Sequence, residues 1–237
     1  MGKARIGIER LTLLMILVWA FSWSVSWAVG WSVVRDIGLG YSFTVGGEIG
    51  GVVGGIVAGV CGGIGTAIIL KLANPSSGLR KHHAILLAVG WAIIVFYDWS
   101  DGFVVAAPGG HPIEFGMIGP LSGILGGVLT ALILFSADHT LGWIKPLLII
   151  GGWTLGFSLA GLIAWTFGFN IAVSYVLGPI YGNDPGIIGF LSIAAVGGLC
   201  GTLAGWVGGS TTVRQFSPGS LSEDETGETD SGKLLFE

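Results

Sequence analysis

The sequence predicts an all-α membrane protein in which six transmembrane helices form three parallel two-helix hairpin repeats around a pseudo-threefold axis. Three observations predict this fold: few charges, six apolar segments of membrane-spanning length, and a pair of glycine-containing motifs that occurs three times. Of the 237 residues, 52% are hydrophobic and only 10% are charged. Soluble domains carry about 25% charged residues, so most of this chain's surface is expected to face lipid.

Six apolar segments are long enough to be considered as transmembrane helices, which need about 20 mostly apolar residues. The third segment is short and is expected either to gain length from His82 and His83 or to cross with little tilt, whereas the second is long enough to tilt. The first is too long for the apolar region of a signal peptide and is expected to be retained as a helix. The predicted spans are residues 11–34, 46–72, 84–99, 115–135, 146–169 and 186–207.

The basic residues predict that both chain ends lie in the cytoplasm. Nine of the ten Lys and Arg residues fall on one side of the six spans, and only Arg35 falls on the other. Cytoplasmic loops carry the excess of basic residues in membrane proteins. We therefore expect an integral protein of the bacterial inner (cytoplasmic) membrane or another energy-transducing membrane. The nine residues are Lys3, Arg5, Arg10, Lys71, Arg80, Lys81, Lys145, Arg214 and Lys233.

Each repeat joins a helix that carries tryptophan to a helix that carries a row of glycines. The tryptophan helices share a Gly-Trp motif, found at residues 30–31, 90–91 and 152–153. Because each repeat holds two spans, all three repeats point the same way, which predicts a symmetry axis along the membrane normal. The repeats cover residues 11–72, 79–135 and 143–209 within a transmembrane domain of residues 11–212. A cytoplasmic segment (1–10) precedes it, and an acidic tail (213–237), predicted to be disordered, follows it.

Four-residue glycine spacing (GxxxG) predicts where the helices pack. Lipid tails are as apolar as leucine, so membrane helices associate largely through the close backbone approach that small residues permit. We expect these glycines to lie at helix contacts, and their spacing gives no information about activity. The predicted packing residues are Gly51, Gly55, Gly59, Gly63, Gly119, Gly123, Gly127, Gly197, Gly201 and Gly205.

The first span carries Trp19, Trp23, Trp27 and Trp31 on one helix face. Membrane tryptophans usually concentrate at the interfaces, so a stripe through the bilayer needs an explanation. One interpretation is that the rings fill grooves beside glycine-rich helices. The other is an aromatic platform for a planar pigment or a lipid, and it makes these four residues the candidate cofactor-binding set; no particular cofactor is indicated.

Each outer loop places an acidic residue before its second helix: Glu48, Glu114 and Asp184. Threefold symmetry would arrange them as a ring, and one interpretation of such a ring is a cation vestibule. The alternative is helix capping, because a carboxylate accepts hydrogen bonds from free amides and complements the helix dipole. Asp98 and Asp101 are two further outer acids. The apolar outer segment 170–183 is too short to span and predicts an interfacial or re-entrant piece.

No motif for catalysis, metal binding or nucleic-acid binding appears in the sequence. Neighbouring histidines such as His82 and His83 point in different directions on a helix, which is poor metal geometry. A serine hydrolase triad, a phosphate-binding loop and a zinc-protease motif are all absent from the sequence. We therefore predict no enzymatic activity and no nucleic-acid partner.

At its Gly-Trp sites and its Gly-Gly pairs (62–63, 126–127 and 197–198) the chain resembles poorly characterised bacterial membrane proteins built from glycine-zipper hairpins. The resemblance covers about residues 11–209 and implies a membrane bundle, with no assigned activity to transfer. Three functional hypotheses follow. The first is a helix-packing subunit or scaffold of a larger membrane complex, whose partners are the lipid bilayer and other subunits or copies of itself. The others are a cation channel or small-solute transporter, and a pigment- or lipid-binding module.

Overall fold

The computed structural model of the chain describes residues 7–40, 43–106 and 112–217, and these ranges contain helices and no strands. Two 3-10 turns (His139–Leu141 and Gly178–Tyr181) and two π turns (Ala164–Gly168 and Gly205–Gly209) interrupt or join the helices. The eight helices are α1 (Ile8–Gly40), α2 (Phe43–Ala73), α3 (Lys81–Ala106), α4 (Pro112–Ala137), α5 (Ile144–Ile163), α6 (Phe169–Leu177), α7 (Gly186–Ala204) and α8 (Ser210–Phe216).

Within the described ranges, five helical segments are long and apolar enough to cross a membrane. The chain is therefore an all-helical protein whose apolar helices suit a bilayer. The predicted third span, residues 84–99, lies within α3, which is not one of the five. The five segments are Ile8–Gly40, Val45–Ala73, Gly119–Ala137, Ile144–Gly168 and Gly186–Phe216.

The long helices close into a ring in which each packs against two neighbours. The order around the ring is α1, α2, α3, α4, α5 and α7, and α7 returns to α1. Gly209, just before α8, lies against Met15 of α1. The start of α1 and the last described helix are therefore at the same end of the bundle.

The helix ends differ in detail from the predicted spans. The last helix continues to Phe216, past the predicted domain boundary at residue 212, because Val213 and Phe216 are still buried in the bundle. The tail beyond residue 217 lies outside the described residues, as does the start of the chain up to residue 6. The apolar segment 170–183 belongs largely to α6 and its 3-10 turn, and it continues from α5 through the first π turn.

Helix α2 shows how the glycine rows position the helices. One row faces α1: Gly50 lies beside the Gly30 carbonyl, and Gly54 accepts a hydrogen bond of 2.8 Å from Ser26 Oγ. A second row faces α3, where Gly55 lies beside Ala92 and Phe96. The third face is apolar and exposed. Its residues are Val45, Ile49, Val52, Ile56, Val60, Ile64, Ile68 and Leu72.

The predicted glycine rows of α4 and α7 also lie at helix contacts. Gly119, Gly123 and Gly127 of α4 face α5, and Gly197, Gly201 and Gly205 of α7 face α1. On α2, Gly59 and Gly63 lie against α3, and Gly51 is buried. Each row therefore faces the tryptophan-bearing helix that comes next around the ring. A side chain on the row glycines other than Gly51 would collide mainly with backbone, which cannot move aside without separating the helices.

A pair of glycine-to-alanine variants tests this packing. A Cβ atom at Gly123 would lie 2.6 Å from the Thr154 Cα and from the Trp153 carbonyl oxygen, whereas one at Gly151 would meet no atom within 4 Å. We expect Gly123→Ala to destabilise the bundle by about 1–3 kcal/mol, as overpacking does, and Gly151→Ala to be neutral or stabilising. Thermal unfolding of both variants in detergent measures the difference, and equal stabilities would contradict the packing described.

Candidate functional site

Three tryptophan rings meet at the centre of the bundle, and we call Trp19, Trp91 and Trp153 the tryptophan layer. They come from α1, α3 and α5, and all three are 0% exposed. The ring centroids are 4.8 Å apart for Trp19–Trp91, 4.8 Å for Trp19–Trp153 and 4.7 Å for Trp91–Trp153. The rings are tilted or edge-on to one another, which is the arrangement that aromatic quadrupoles favour. The interior at this level is therefore filled by indole rings.

Each ring of the layer fits against a glycine on a neighbouring glycine-rich helix, where a Cβ atom would collide with the ring or press closely on it. The absence of a side chain is what leaves space for an indole at the bundle centre. The ring–glycine pairs are Trp19 with Gly62, Trp91 with Gly126, and Trp153 with Gly208.

A threonine four residues after the glycine accepts the indole proton in two of the three cases. Trp19 Nε1 donates to Thr66 Oγ1 at 3.0 Å, and Trp153 Nε1 donates to Thr212 Oγ1 at 3.0 Å. The corresponding atoms of Trp91 and Thr130 are buried and have no hydrogen-bond partner among the described residues. Two of the rings are therefore fixed by a direct hydrogen bond, and the third is held by packing.

The four tryptophans of α1 are all buried against protein. Trp23 packs edge-on against Phe157, with centroids 5.4 Å apart, and Trp27 lies against Gly168 and Gly197. The Gly-Trp motif aligns Trp31 with Trp91 and Trp153 in the sequence. In the structure, however, Trp19 is the α1 residue that contacts Trp91 and Trp153. Because the four tryptophans of α1 recur about once per helical turn, the sequence does not show which of them matches Trp91 and Trp153. The ring contacts identify Trp19 as that residue.

The three predicted outer acids have different surroundings. The Asp184 carboxylate accepts two hydrogen bonds of 3.0 Å from Arg35 Nη2 and one of 2.9 Å from the Gly186 amide. The hydrogen bond from the Gly186 amide is the main cause of a lowered pKa of Asp184, and Arg35 lowers this pKa further. Glu48 is exposed on α2, and the side chain of Glu114 lies outside the described residues.

Arg35 links the end of α1 to the loop before α7. Its guanidinium group lies over the Tyr175 ring, 4.7 Å from the ring centre. An open cleft of about 580 Å³ lies beside this ion pair. Its lining residues are Val173, Ser174, Leu177, Gly178, Asn183, Asp184 and Pro185.

At the opposite end of the bundle, the rings of His82 and His83 face each other rather than pointing apart, with 3.1 Å between their Nε2 atoms. His83 is buried, and its Nδ1 accepts a hydrogen bond from the Arg80 amide at 3.0 Å. A neutral ring with an accepting Nδ1 carries its proton on Nε2. Burial is the main cause of a lowered pKa of His83, and the charges of His82 and Arg80 add to it.

One acidic side chain lies between helices of the bundle. Asp98 of α3 is half-buried and accepts a hydrogen bond of 3.0 Å from Ser122 Oγ of α4. It is also within electrostatic range of the buried Cys200 thiol of α7. By its place in the sequence, Asp98 is grouped with the outer acids. Its spacing of seven residues from Trp91 places both residues on one helix face, and this spacing could have identified Asp98 as an interior residue.

Among the described residues, no group of three or more His, Cys, Asp or Glu side chains is arranged to hold a metal ion. The fold and interior define a helical protein with apolar, membrane-compatible helices and an aromatic centre. Comparison with protein-family models, curated proteins and solved structures finds no match to this chain.

The threonine contacts give a matched pair of variants. Thr66→Val removes the acceptor of the buried Trp19 N–H, and an unsatisfied buried donor costs about 1–3 kcal/mol. Thr130→Val removes a hydroxyl that makes no hydrogen bond to the described residues, so we expect little loss or a gain of stability. Chemical or thermal unfolding in detergent distinguishes the two, and an equal loss in both variants would contradict the assigned hydrogen bond.

Proposed function

We propose that this chain is a six-span integral membrane protein that acts as a non-enzymatic helix-packing subunit of a larger membrane complex. Three hairpins related by a pseudo-threefold axis form the bundle, and both chain ends lie in the cytoplasm. The observation that carries the proposal is the tryptophan layer, which fills the centre of the bundle with rings in direct contact. A centre filled in this way suits a packing role better than an open path for solutes.

Two exposed tryptophans that flank α5 support the placement in a bilayer. Trp143 and Trp165 are both exposed and lie 22 positions apart, which corresponds to about 33 Å at 1.5 Å per residue. The hydrocarbon core is about 30 Å thick, and tryptophan favours its two boundaries. Between them, α5 exposes Leu147, Leu155 and Leu162. This spacing matches a lipid-facing helix with an aromatic anchor at each end.

The repeated contacts support the pseudo-threefold arrangement. Each hairpin supplies one ring of the layer, one glycine against that ring and one threonine four residues further along. The α3 helix supplies its ring like the other two, which favours counting it as the sixth span. The third hairpin departs from the pattern: its ring-contacting glycine, Gly208, lies three residues after the last glycine of its row, inside a π turn. In the first two hairpins the ring-contacting glycines, Gly62 and Gly126, come one residue before the last glycine of the row.

Mild extraction from native membranes tests the proposed role. We expect the chain to run with other proteins or with copies of itself, at a mass well above the 24.4 kDa of one chain plus its detergent. Mass photometry or native mass spectrometry gives this value. A single 24.4 kDa species under the gentlest conditions would contradict a subunit role. Reconstituted alone in liposomes, the chain should conduct no ions, and steady conductance would instead favour the transport alternative.

The second candidate function is a cation channel or small-solute transporter. One observation favours it: the half-buried Asp98 carboxylate contacts α4 in the interior of the bundle. Intramembrane ionisable residues are costly and commonly mark ion or proton pathways. In this alternative the tryptophan layer is a closed gate.

A further inference from the structure

We propose that Asp98 is a proton-binding carboxylate inside the membrane that exchanges its proton with the outer aqueous side. This role goes beyond the packing function, because a packing contact at this position does not need an ionisable group. The inference rests on the proposed six-span topology and joins three observations: the depth of Asp98, its hydrogen bond with α4, and the tryptophan layer between it and the cytoplasmic end.

The depth follows from the position of Asp98 relative to Trp91. Seven residues of helix rise by about 10 Å, and at about 100° per residue they return to within roughly 20° of the same face. The tryptophan layer lies near the midpoint between the two proposed aromatic anchors, since Trp153 comes ten positions after Trp143 and twelve before Trp165. The hydrocarbon extends about 15 Å to each side of its centre. Asp98 is therefore within the outer half of the bilayer, on the interior face of α3.

The contacts of Asp98 agree with this position. Ser122 Oγ of α4 donates to Asp98 Oδ1 at 3.0 Å, and Cys200 of α7 is within electrostatic range. The preceding residue, Tyr97, is largely exposed and faces outward from the bundle. Asp98 thus faces α4 inside the bundle rather than the lipid.

The Asp98–Ser122 pair suits a group that gains and loses a proton. A hydroxyl donates to a carboxylate and accepts from a carboxylic acid, so Ser122 satisfies Asp98 in both states by rotating its O–H bond. Proton uptake adds one proton to a carboxylate oxygen and removes a charge that is costly at this depth. The titratable neighbour from α7 is Cys200. From α4 the described neighbour is Ser122, which does not titrate, and on α2 Cys61 lies nearer the level of Trp91 while Glu48 is exposed near the outer end.

The tryptophan layer sets the side from which the proton comes. The three fully buried rings lie about 10 Å further toward the cytoplasmic end than Asp98. Packed indoles offer a proton no relay of water or acidic groups. We therefore place the exchange route of Asp98 on the outer side of this layer.

Infrared difference spectroscopy on the full chain, reconstituted in one orientation in liposomes, tests the proposal. Lowering only the outer pH from 8 to 5 should produce a protonated-carboxyl C=O band that is present in the wild type and in Glu48→Gln and absent in Asp98→Asn. Lowering only the inner pH should produce no such band. No Asp98-dependent band between these pH values would overturn proton binding, and a band that follows inner pH would overturn the outer route.

Ser122→Ala keeps the inference testable if Asp98→Asn does not fold. This variant retains the carboxyl group and loses the Ser122 hydroxyl that donates to it, so the same band should shift in frequency and its titration midpoint should move. An unchanged band in Ser122→Ala would show that the carboxyl signal does not come from Asp98. The Glu48→Gln variant again serves as the control, because Glu48 is exposed and outside this interior space.

Discussion

The structure depends on one steric constraint: the glycine-rich helices must have no side chain where the tryptophan-bearing helices approach. In lipid, apolar surface alone does not bring helices together, so dispersion contacts and interhelical hydrogen bonds must do so. Both require short distances between backbones. Gly123 allows α4 to reach the backbone of α5, and Gly126 on the same helix accommodates the ring of Trp91. Two glycines within one turn of α4 thus determine both the spacing between α4 and α5 and the position of the Trp91 ring.

The layer of indoles follows from this constraint. A large ring reaches the bundle centre when the opposite helix leaves a groove, and three such grooves bring three rings to within 4.8 Å of one another. The threonine hydroxyls then satisfy the N–H groups of Trp19 and Trp153, which water cannot reach. Burial of these donors without an acceptor would be costly in a low-dielectric interior. Packing and polar satisfaction therefore act at the same level of the bundle.

Much of the helical organisation could be predicted from the sequence, because small-residue spacing and apolar length are local signals. The two glycine rows of α2 indicate two contact faces, and both faces are occupied. The register of α1 could not be predicted, since Trp19 and Trp31 lie on the same face and only the helix contacts distinguish them. The roles of Asp98 and Asp184 are likewise non-local: Ser122 and Arg35, which bind them, are 24 and 149 positions away in the chain.

A mutant cycle on the tryptophan layer tests the account most directly. Trp19→Ala, Trp91→Ala, Trp153→Ala and their pairwise combinations would be compared for free energy of unfolding in detergent, with the 73% exposed Trp143 as the control partner. Direct ring contact predicts a coupling of at least about 0.5–1.5 kcal/mol for every pair within the layer. It predicts none with Trp143. Additive losses for all three pairs would show that the rings do not meet at the centre of the bundle.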